Sequence, residues 1–347
     1  MCNNSEMKAS AIVILNYNGE KMLQQYLPTV LLNSQSDVIV ADNASTDGSL
    51  QLMRTQFPDV PLLVLDRNYG FAEGYNRALA QLPQYRYYLL LNSDVEIRQP
   101  QWDAPLIAYM DTHPLCAACQ PKLLKLVPQG DAPDTFEYAG AAGGFLDRYG
   151  YPYCRGRIFS VVEEDHSQYD DTISLHWATG AALMVRAEDW RESGGLDGRF
   201  FAHMEEIDLC WRLRLMGKDI VCVPTSTAYH LGGGTLNQGN PRKTFLNFRN
   251  NLLMLYKNLP EDRLHPVMRM RHLLDTLASL QFLLKGDTAN FRAILRARRE
   301  YQKIRSQFTA DRQRIQSNRK ETLIPENVDV SVLWQFYAKG KKTWKQL

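Results

Sequence analysis

The stretch YRYYLLLNSDVEI, residues 85–97, decides the fold class. Its aromatic and aliphatic run, residues 87–91, indicates a strand buried on both faces, as the strands of parallel sheets are. The run stops at Asn92, Ser93 and Asp94. Because ligands of parallel α/β sheets bind at the carboxyl ends of the strands, an acid at this position predicts a binding site.

The residues before this strand alternate between two patterns. Apolar runs predict strands at 10–18, 37–43, 61–66 and 85–92, and helical spacing predicts helices at 19–34, 46–57 and 70–82. Ser45 or Thr46 is the expected N-cap of the second helix. Strand–helix alternation with short loops predicts an α/β fold whose mostly parallel central sheet is flanked by helices.

Polar residues end each of these predicted strands, and a parallel sheet brings such ends to one edge. They are Asn16 and Asn18, Asp42 and Asn43, Asn68, and Asn92 with Asp94. This coincidence predicts a shared site at that edge.

Later residues are less regular. Hairpins and loops are expected between about 100 and 185, with a buried strand at 174–186, a helix at 205–216 and a strand at 219–224. The pattern then becomes helical and basic, which places a boundary near residue 236. We expect a domain at 1–235, with halves at about 1–98 and 99–235, and a helical extension at 236–347.

The charge is divided unevenly along the 347 residues, although the net charge is only +2. From residue 241 onward there are 22 basic and 9 acidic residues. Residues 1–240 hold the other 18 basic and 29 acidic residues. A basic C-terminal region of this kind indicates an anionic partner surface, either membrane or nucleic acid. Aromatic residues are sparse among these bases and no nucleic-acid motif is present, so we expect no nucleic-acid partner.

Cysteine usage and hydropathy indicate the compartment. The six cysteines form no recognisable disulfide or zinc pattern, and Cys116 and Cys119 lie in a predicted strand, on opposite faces, as buried thiols. The polar start MCNNSEMK predicts no signal peptide, and no run approaches the roughly 20 apolar residues of a membrane span. The expected location is therefore the cytoplasm.

Two motifs at the polar ends of the predicted strands each allow a functional and a structural interpretation. Asp42 and Asn43 begin DNASTDGS, a pattern typical of a turn and helix cap, but Asp42 is equally placed to accept a hydrogen bond from a base or ribose. In RNYGFAEGYN, residues 67–76, Gly70 and Gly74 allow either close approach of a ligand or tight helix packing.

Asp94 suits a divalent cation that is shared with a diphosphate, with His230 as the imidazole candidate. Glu205, Glu206 and Asp208 crowd the first turn of the predicted helix, where the helix dipole favours acids. Helix capping explains one such acid, whereas three indicate chemistry. Glu206 points away from the face shared by the other two and is the candidate proton acceptor.

Seven motifs, in order, resemble the family-two inverting glycosyltransferases of the GT-A fold, and most closely the rhamnosyltransferase-like members that build bacterial surface polysaccharides. The resemblance covers residues 9 to about 250. The motifs are VILNYNG, VIVADNASTDGS, RNYGFAEGYN, LLLNSDVE, WATGAALMVR, GGLDGRFFAHMEEIDLCWRLRLMG and YHLGGGTL.

The resemblance implies a role for each candidate residue. Donor-binding residues would be Asn16, Asn18, Asp42, Asn43, Asn68, Gly70, Gly74, Asn92 and Ser93. Asp94 matches the last acid of the DxD metal motif, whose first acid is Asn92 here, and His230 matches the later metal ligand. Glu206 matches the catalytic base, with Glu205 or Asp208 as alternatives. The acceptor and donor-sugar region would be lined by Trp177, Thr179 and Gly180.

The implied reaction is an inverting, metal-dependent hexosyl transfer in a single displacement. Its cofactor would be Mn²⁺ or Mg²⁺, with the imidazole ligand favouring Mn²⁺. Its donor would be a nucleotide-diphosphate sugar such as dTDP-rhamnose or a UDP-sugar, and its acceptor a glycan or polyprenyl-linked saccharide. The Arg-rich helices expected at 291–320 would lie on anionic lipid at the inner face of the cytoplasmic membrane.

Two other functions fit parts of the pattern. A nucleotidyltransferase would share the nucleotide pocket and the metal, but it needs a basic Gly-rich loop after the first strand, and LNYNGEKM is a poor match. A non-catalytic nucleotide-sugar-binding or assembly protein should have lost Asp94 or the acids at 205–208, and this chain retains them.

Overall fold

A nine-stranded sheet forms the centre of the computed structural model, which describes residues 8–127, 134–232, 239–320, 324 and 327–347. Its first four strands, β1 (Lys8–Asn16), β2 (Asp37–Asp42), β3 (Leu62–Val64) and β4 (Tyr85–Leu91), pair in parallel in the order β3-β2-β1-β4. They alternate with helices α1 (Glu20–Asn33), α2 (Ser49–Gln56) and α3 (Gly70–Leu79). The predicted α/β fold is confirmed.

The start of α2 differs from the prediction. Gly48, not Ser45 or Thr46, precedes its first residue, Ser49, and caps it with no side chain. The Ser45 hydroxyl instead accepts a hydrogen bond from the backbone N–H of Asn18 at 2.9 Å, so it joins the ends of β1 and β2.

Antiparallel strands enter the sheet after β4 and make it mixed. β12 lies between β4 and β6 and is antiparallel to both, whereas β13 is parallel to β6. The elements of this part are β5 (Val95–Glu96), α4 (Ala104–Thr112), β6 (Cys116–Lys125), β7 (Gly144–Asp147), β8 (Pro152–Cys154), β9 (Arg157–Ile158), β10 (Val161–Val162), β11 (Ile173–Ser174), β12 (Ala182–Arg186), α5 (Ala187–Ser193), α6 (Glu205–Leu215) and β13 (Asp219–His230).

The strand predicted at 174–186 is wrong as one element. Residues 176–181 leave the central sheet between β11 and β12, and the backbone N–H groups of His176 and Trp177 bond to the carbonyl of Gly144 in a second, five-stranded sheet. β13 also extends beyond the predicted 219–224, with an irregularity between Cys222 and Thr227.

Both faces of the central sheet are covered, which explains its continuous apolar runs. On β1, Ala11 and Val13 face one hydrophobic cluster and Ile12 and Ile14 face the other. Each face therefore buries alternate residues of the same strand.

Cys116 and Cys119 lie in the same cluster, contrary to the prediction of opposite faces. β6 contributes one extra residue opposite the step from Asp219 to Ile220. This bulge shifts the alternation of side chains by one position. Both thiols are buried and free, as predicted.

The C-terminal region shares the core of the preceding residues. It comprises α7 (Pro241–Asn258), α8 (Glu261–Leu284), α9 (Thr288–Ile304), α10 (Thr309–Asn318), β14 (Asn327–Val328) and α11 (Val332–Tyr337). Leu252 to Leu255 of α7 belong to the cluster under the central sheet, and β14 pairs in parallel with β7. The boundary predicted at 235/236 lies outside the described residues.

Large exposed apolar side chains of this region lie on α8 and α11. Leu273, Leu277, Leu280 and Leu284 of α8 are 44% to 89% exposed, and Trp334 and Tyr337 of α11 are 61% and 66% exposed. On α9, by contrast, Ala293, Ile294, Ala297 and Tyr301 are buried. The apolar face predicted within 291–320 to contact lipid is therefore turned into the protein along α9. Within the described ranges, every helix is too short or too polar to span a lipid bilayer.

Candidate functional site

The carboxyl ends of β1 and β2 carry an interlocked polar network. Asn16 Nδ2 donates to Asp42 Oδ2 at 2.9 Å and to Ser45 Oγ at 3.1 Å. Asn18 Oδ1 accepts from the backbone N–H of Thr46 at 2.7 Å. Asn16 Oδ1 is buried, and within the described residues no donor reaches it. This network leaves one oriented acceptor for a ligand N–H or O–H.

The next loop is held by Asn43. Its Nδ2 donates to the Gly70 carbonyl at 2.9 Å and to Asn68 Oδ1 at 3.2 Å, and its Oδ1 accepts from the Tyr69 N–H. A Cβ on Gly74 would lie 2.9 Å from Leu15, so this glycine is required for packing of α3 on β1. Asn43, Asn68 and Gly74 thus fix the loop between β3 and α3 through contacts within the protein.

Ser93 belongs to the same edge. A Cβ built on Gly19 would lie 2.4 Å from Asn16 Oδ1 and 3.5 Å from Ser93 Oγ. The turn after β1 therefore brings Ser93, which follows β4, close to the end of β1.

Asp94 and His230 meet, as the proposal of a metal site requires. His230 Nε2 lies 3.1 Å from Asp94 Oδ1 and 3.3 Å from Asn92 Nδ2. On the other side of the ring, Nδ1 lies 3.3 Å from Glu137 Oε1. Burial alone would lower the pKa of His230, but the nearby carboxylates of Asp94 and Glu137 outweigh it and raise the pKa to about 10. Burial alone would raise the pKa of Asp94, but His230 holds it below its usual value.

The donor set fits a divalent cation. Asp94 Oδ1 and His230 Nε2 are neighbours, and the Glu137 carboxylate lies beside the other ring nitrogen, as a carboxylate commonly does at a metal-binding histidine. Within the described residues no cluster of three or more ligating side chains is found. Asp94 and His230 would supply two ligands, and a diphosphate and water would complete the coordination. Glu137 was missed from sequence, where an isolated acid in an irregular stretch carried no signal.

The acids of α6 follow an unusual loop. Phe201, His203 and Met204 have φ between 67° and 74°, a left-handed conformation that non-glycine residues rarely adopt. Such strain clusters at functional sites, where the surrounding structure has to hold it. This loop conformation sets the direction in which the side chains of Glu205 and Glu206 project from the first turn of α6.

Glu206 is suited to accept a proton. Its Oε2 is buried and, within the described part of the chain, has no hydrogen-bond partner. Burial raises the pKa of Glu206 to about 7. Glu205 also has a buried Oε2 without a partner among the described residues, and burial together with the charge of Glu206 raises its pKa well above the usual value.

Asp208 is fully engaged in ion pairs. Its Oδ2 accepts from Arg212 Nε at 2.9 Å and from Lys257 Nζ at 2.8 Å, and its Oδ1 accepts from Asn258 Nδ2 at 2.8 Å. The carboxyl group is 0% exposed. It joins α6 to α7, and this arrangement favours Glu206 over Asp208 as the base.

Residues 179–181 connect the acids to the metal-site residues. A Cβ on Gly180 would lie 3.7 Å from the Cβ of Glu206, and the Ala181 carbonyl accepts from the Asn92 N–H at 3.0 Å. Thr179 Oγ1 donates to the Ala139 carbonyl at 2.6 Å, and the Ala139 N–H donates to Glu137. Glu206 and the Asp94–His230 pair therefore flank one short segment.

Trp177 is placed differently from its neighbours. It is 3% exposed, its Nε1 donates to the Phe145 carbonyl at 3.0 Å, and its ring packs over Gly144. This side chain joins the two sheets, and its contact with an acceptor remains a prediction.

Asn250 of α7 holds the strained loop and was not predicted from sequence. Its Nδ2 lies within hydrogen-bonding distance of the carbonyls of Phe200, Ala202 and His203, at 2.8 to 3.0 Å. These contacts join the C-terminal region to the loop that positions Glu206. An asparagine on a basic helix gave no signal of this role.

Comparison with known proteins is consistent with this geometry. Residues 11–142 match the model of Glycosyl transferase family 2. The chain is 27% identical over 238 residues to N-acetylglucosaminyl-diphospho-decaprenol L-rhamnosyltransferase of Mycobacterium tuberculosis, covering 63% of this chain and 75% of the relative.

Two solved structures share the fold. GalNAc-T7 with UDP, GalNAc and Mn²⁺ aligns at a TM-score of 0.57 and 15% identity, over 91% of this chain and 59% of that chain. Mannosyltransferase PcManGT from Pyrobaculum calidifontis, in complex with GDP-Man and Mn²⁺, aligns at a TM-score of 0.50 and 13% identity. The alignment covers 90% of this chain and 86% of that chain.

Residues 11–142 therefore resemble the glycosyl transferase family 2 model, and the chain has the GT-A fold and is a glycosyltransferase of the hexosyltransferase type. This classification replaces the alternatives of a nucleotidyltransferase and a non-catalytic binding protein.

Proposed function

We propose that this glycosyltransferase moves a hexosyl group from a nucleoside-diphosphate sugar to a hydroxyl group of a glycan or lipid-linked saccharide, with inversion and in dependence on a divalent cation. The name of the mycobacterial relative describes rhamnosyl transfer to a diphospho-decaprenol saccharide. Rhamnose on dTDP is accordingly the first donor to test, followed by UDP-sugars.

One observation carries the proposal: the buried Glu206 carboxyl, with its pKa of about 7, lies beside the segment that also bonds to Asn92, next to Asp94 and His230. A proton acceptor and a diphosphate-binding edge thus both adjoin residues 180–181. An inverting transfer needs both groups at one site, because a base activates the acceptor hydroxyl while the diphosphate leaves from the opposite face of the sugar.

The donor would bind along the carboxyl ends of β1, β2 and β4. Asn16 Oδ1 is the free acceptor there, and Asp42 is fixed by Asn16 and by the Ser45 N–H at 2.8 Å. Asp94 and His230 would hold Mn²⁺ or Mg²⁺, which as a Lewis acid neutralises charge on the departing diphosphate.

The chemical step then requires one base. Glu206 removes the proton of the acceptor hydroxyl as its oxygen forms a bond to the anomeric carbon. The bond from that carbon to the diphosphate breaks, and its electron pair leaves with the nucleoside diphosphate. The configuration inverts and no residue of the chain becomes glycosylated.

A nucleotide-release assay tests the proposal. Purified protein is incubated with a panel of dTDP-, UDP- and GDP-sugars in the presence of Mn²⁺, Mg²⁺ or chelator. One donor should be consumed, and chelator should abolish its consumption. No consumption of any donor with either cation contradicts the proposal.

The base assignment is tested with Glu206→Gln. We expect transfer to fall by about 100-fold or more, because positioned proton transfer contributes that much, while nucleotide binding by calorimetry is unchanged. Glu188→Gln is the matched control, because Glu188 is an exposed acid in the first turn of α5. Full activity of Glu206→Gln would move the base to Glu205.

A further inference from the structure

A cavity of about 550 Å³ lies between α7 and α9, apart from the site described above. Its lining includes four arginines, Arg242, Arg249, Arg292 and Arg296, and two phenylalanines, Phe201 and Phe245. We call it the arginine pocket.

The four guanidinium groups have no ion-pair partner among the described residues. Other arginines of the same region are paired, Arg271 with Asp275 at 3.2 Å and Arg312 with Glu261 at 2.7 Å. Burial lowers the pKa of the partly buried Arg249, although the charge of Glu300 opposes this effect. Arg242, Arg292 and Arg296 are exposed, so the pocket presents a cationic surface to which a ligand can bring negative charge.

The aromatic walls orient these cations. The Arg296 guanidinium lies 4.3 Å from the centroid of the Phe245 ring, and that of Arg242 lies 5.3 Å from the centroid of Phe201. Guanidinium groups held against ring faces keep their N–H edges free for bidentate bonds to phosphate oxygens.

The arginine pocket also adjoins the loop before Glu206. Arg249 Nη2 donates to the Phe200 carbonyl at 3.1 Å, and the Phe201 carbonyl accepts from the Phe71 N–H at 2.9 Å. A group bound here contacts Phe201, which lies in the strained loop that leads to Glu206.

We propose that the arginine pocket binds the diphosphate group of the acceptor and so anchors its saccharide near the proposed base. The proposal rests on the function proposed above, in which the acceptor is a lipid-linked saccharide. Four cations exceed the two negative charges of a diphosphate that is esterified at both ends, so they are sufficient to neutralise it, and the lining of the pocket includes neither Asp94 nor His230 of the edge assigned to the donor diphosphate.

Farnesyl diphosphate, a soluble prenyl diphosphate, is the probe. Its binding to the full chain is measured by calorimetry in buffer with chelator, so that the Asp94–His230 edge holds no cation. The test variant is Arg292→Ala/Arg296→Ala. The control is Arg269→Ala/Arg299→Ala, which removes the same charge from exposed positions on α8 and α9.

We expect the test variant to bind farnesyl diphosphate about tenfold more weakly or worse, and the control to stay within about twofold of the unchanged chain. Farnesol, which lacks the diphosphate, should bind equally to the unchanged chain, the test variant and the control variant. Equal binding of farnesyl diphosphate by test and control variants would overturn the proposal. Thermal midpoints of the variants verify folding, and Arg292→Gln/Arg296→Gln replaces a variant that unfolds.

Two further arms separate other sources of the same chemistry. Loss of UDP binding in the test variant, with farnesyl diphosphate binding retained, would assign the pocket to the donor and overturn the proposal. If the test variant loses binding to phosphatidylglycerol vesicles but still binds farnesyl diphosphate, the arginine pocket would be assigned to the membrane surface. This outcome would also overturn the proposal. Donor turnover by the unchanged chain is measured separately, so failure of the proposed function is distinguishable from failure of this one.

Discussion

Glu206 and Asp208 lie two residues apart on α6, yet their carboxyl groups have different surroundings. Asp208 is bound by Arg212, Lys257 and Asn258, whereas Glu206 has a buried oxygen without a partner in the described part of the chain. Sequence reasoning named both acids as candidates because it had only their spacing. The partners of Asp208 on α7 come from about 50 residues further along the chain, so no local pattern could assign them.

The activity should depend on pH through Glu206. Because burial raises the pKa of Glu206 to about 7, the base is protonated and inactive at lower pH. With saturating cation, kcat/KM should rise from about pH 5.5, level off above about pH 7.5 and follow one ionisation. Glu188→Gln should retain this profile. A rate that is flat across this range would show that Glu206 does not act as the base.

Asp208→Asn should reduce stability. The substitution leaves Arg212 and Lys257 buried beside a neutral amide, and breaking a buried ion pair costs about 3 kcal/mol or more. The free energy of unfolding from urea titration is the measurement. Asp262→Asn, at an exposed position in the first turn of α8, is the control. Equal midpoints for both variants would show that the α6–α7 ion pairs contribute no stability.

Among the elements, α7 has the largest influence on the site. It contributes Lys257 and Asn258 to Asp208 and Asn250 to the carbonyls of the loop before α6. The backbone of that loop adopts positive φ at three non-glycine residues, and such a conformation persists only where neighbouring groups hold it. A helix in the C-terminal region thus determines the position of the proposed base.

Asn250→Ala should impair transfer more than donor binding. Loss of its side-chain amide removes a donor from the carbonyls of Phe200, Ala202 and His203, so the loop relaxes and Glu206 moves. We expect kcat to fall about tenfold or more with little change in donor KM, and the free energy of unfolding to fall by about 1–3 kcal/mol. Asn247→Ala on the same helix is the control. A loss of stability with unchanged kcat would limit Asn250 to a structural role.

The elements of residues 8–91 could be predicted because each strand is buried on both faces and each helix separates two strands. The segment 174–186 could not, since an apolar run has the same appearance whether it continues one strand or passes to a second sheet. Its course depends on Gly144, whose carbonyl accepts from both His176 and Trp177.

At the scale of the whole molecule, the basic C-terminal region has two faces. One packs into the core through α7, and the other exposes the leucines of α8. Peripheral contact with an anionic membrane remains a proposal, and the exposed apolar residues place it on α8 rather than on α9.

Leu277→Gln/Leu284→Gln should weaken association with phosphatidylglycerol vesicles. Both side chains are exposed, at 53% and 89%, and replacing them removes apolar area that would enter the headgroup region. We expect the fraction that sediments with vesicles to fall by about threefold or more. Leu32→Gln/Leu115→Gln, with 82% and 60% exposure at other surfaces, is the matched control. Equal sedimentation of both variants would exclude α8 as the contact.

The sequence by itself determined the parallel half of the sheet, the set of polar strand ends and the group of acids in the first turn of α6. These follow from burial and spacing within a few residues, which are local properties of the chain. The tertiary structure decided which acids of α6 are bound by other side chains, because Lys257 reaches Asp208 from a distant segment. It likewise brings Glu137 beside His230 and Asn250 to the loop before α6. It also placed the four arginines around one cavity, since their proximity depends on the packing of α7 against α9 and not on any repeat in the sequence.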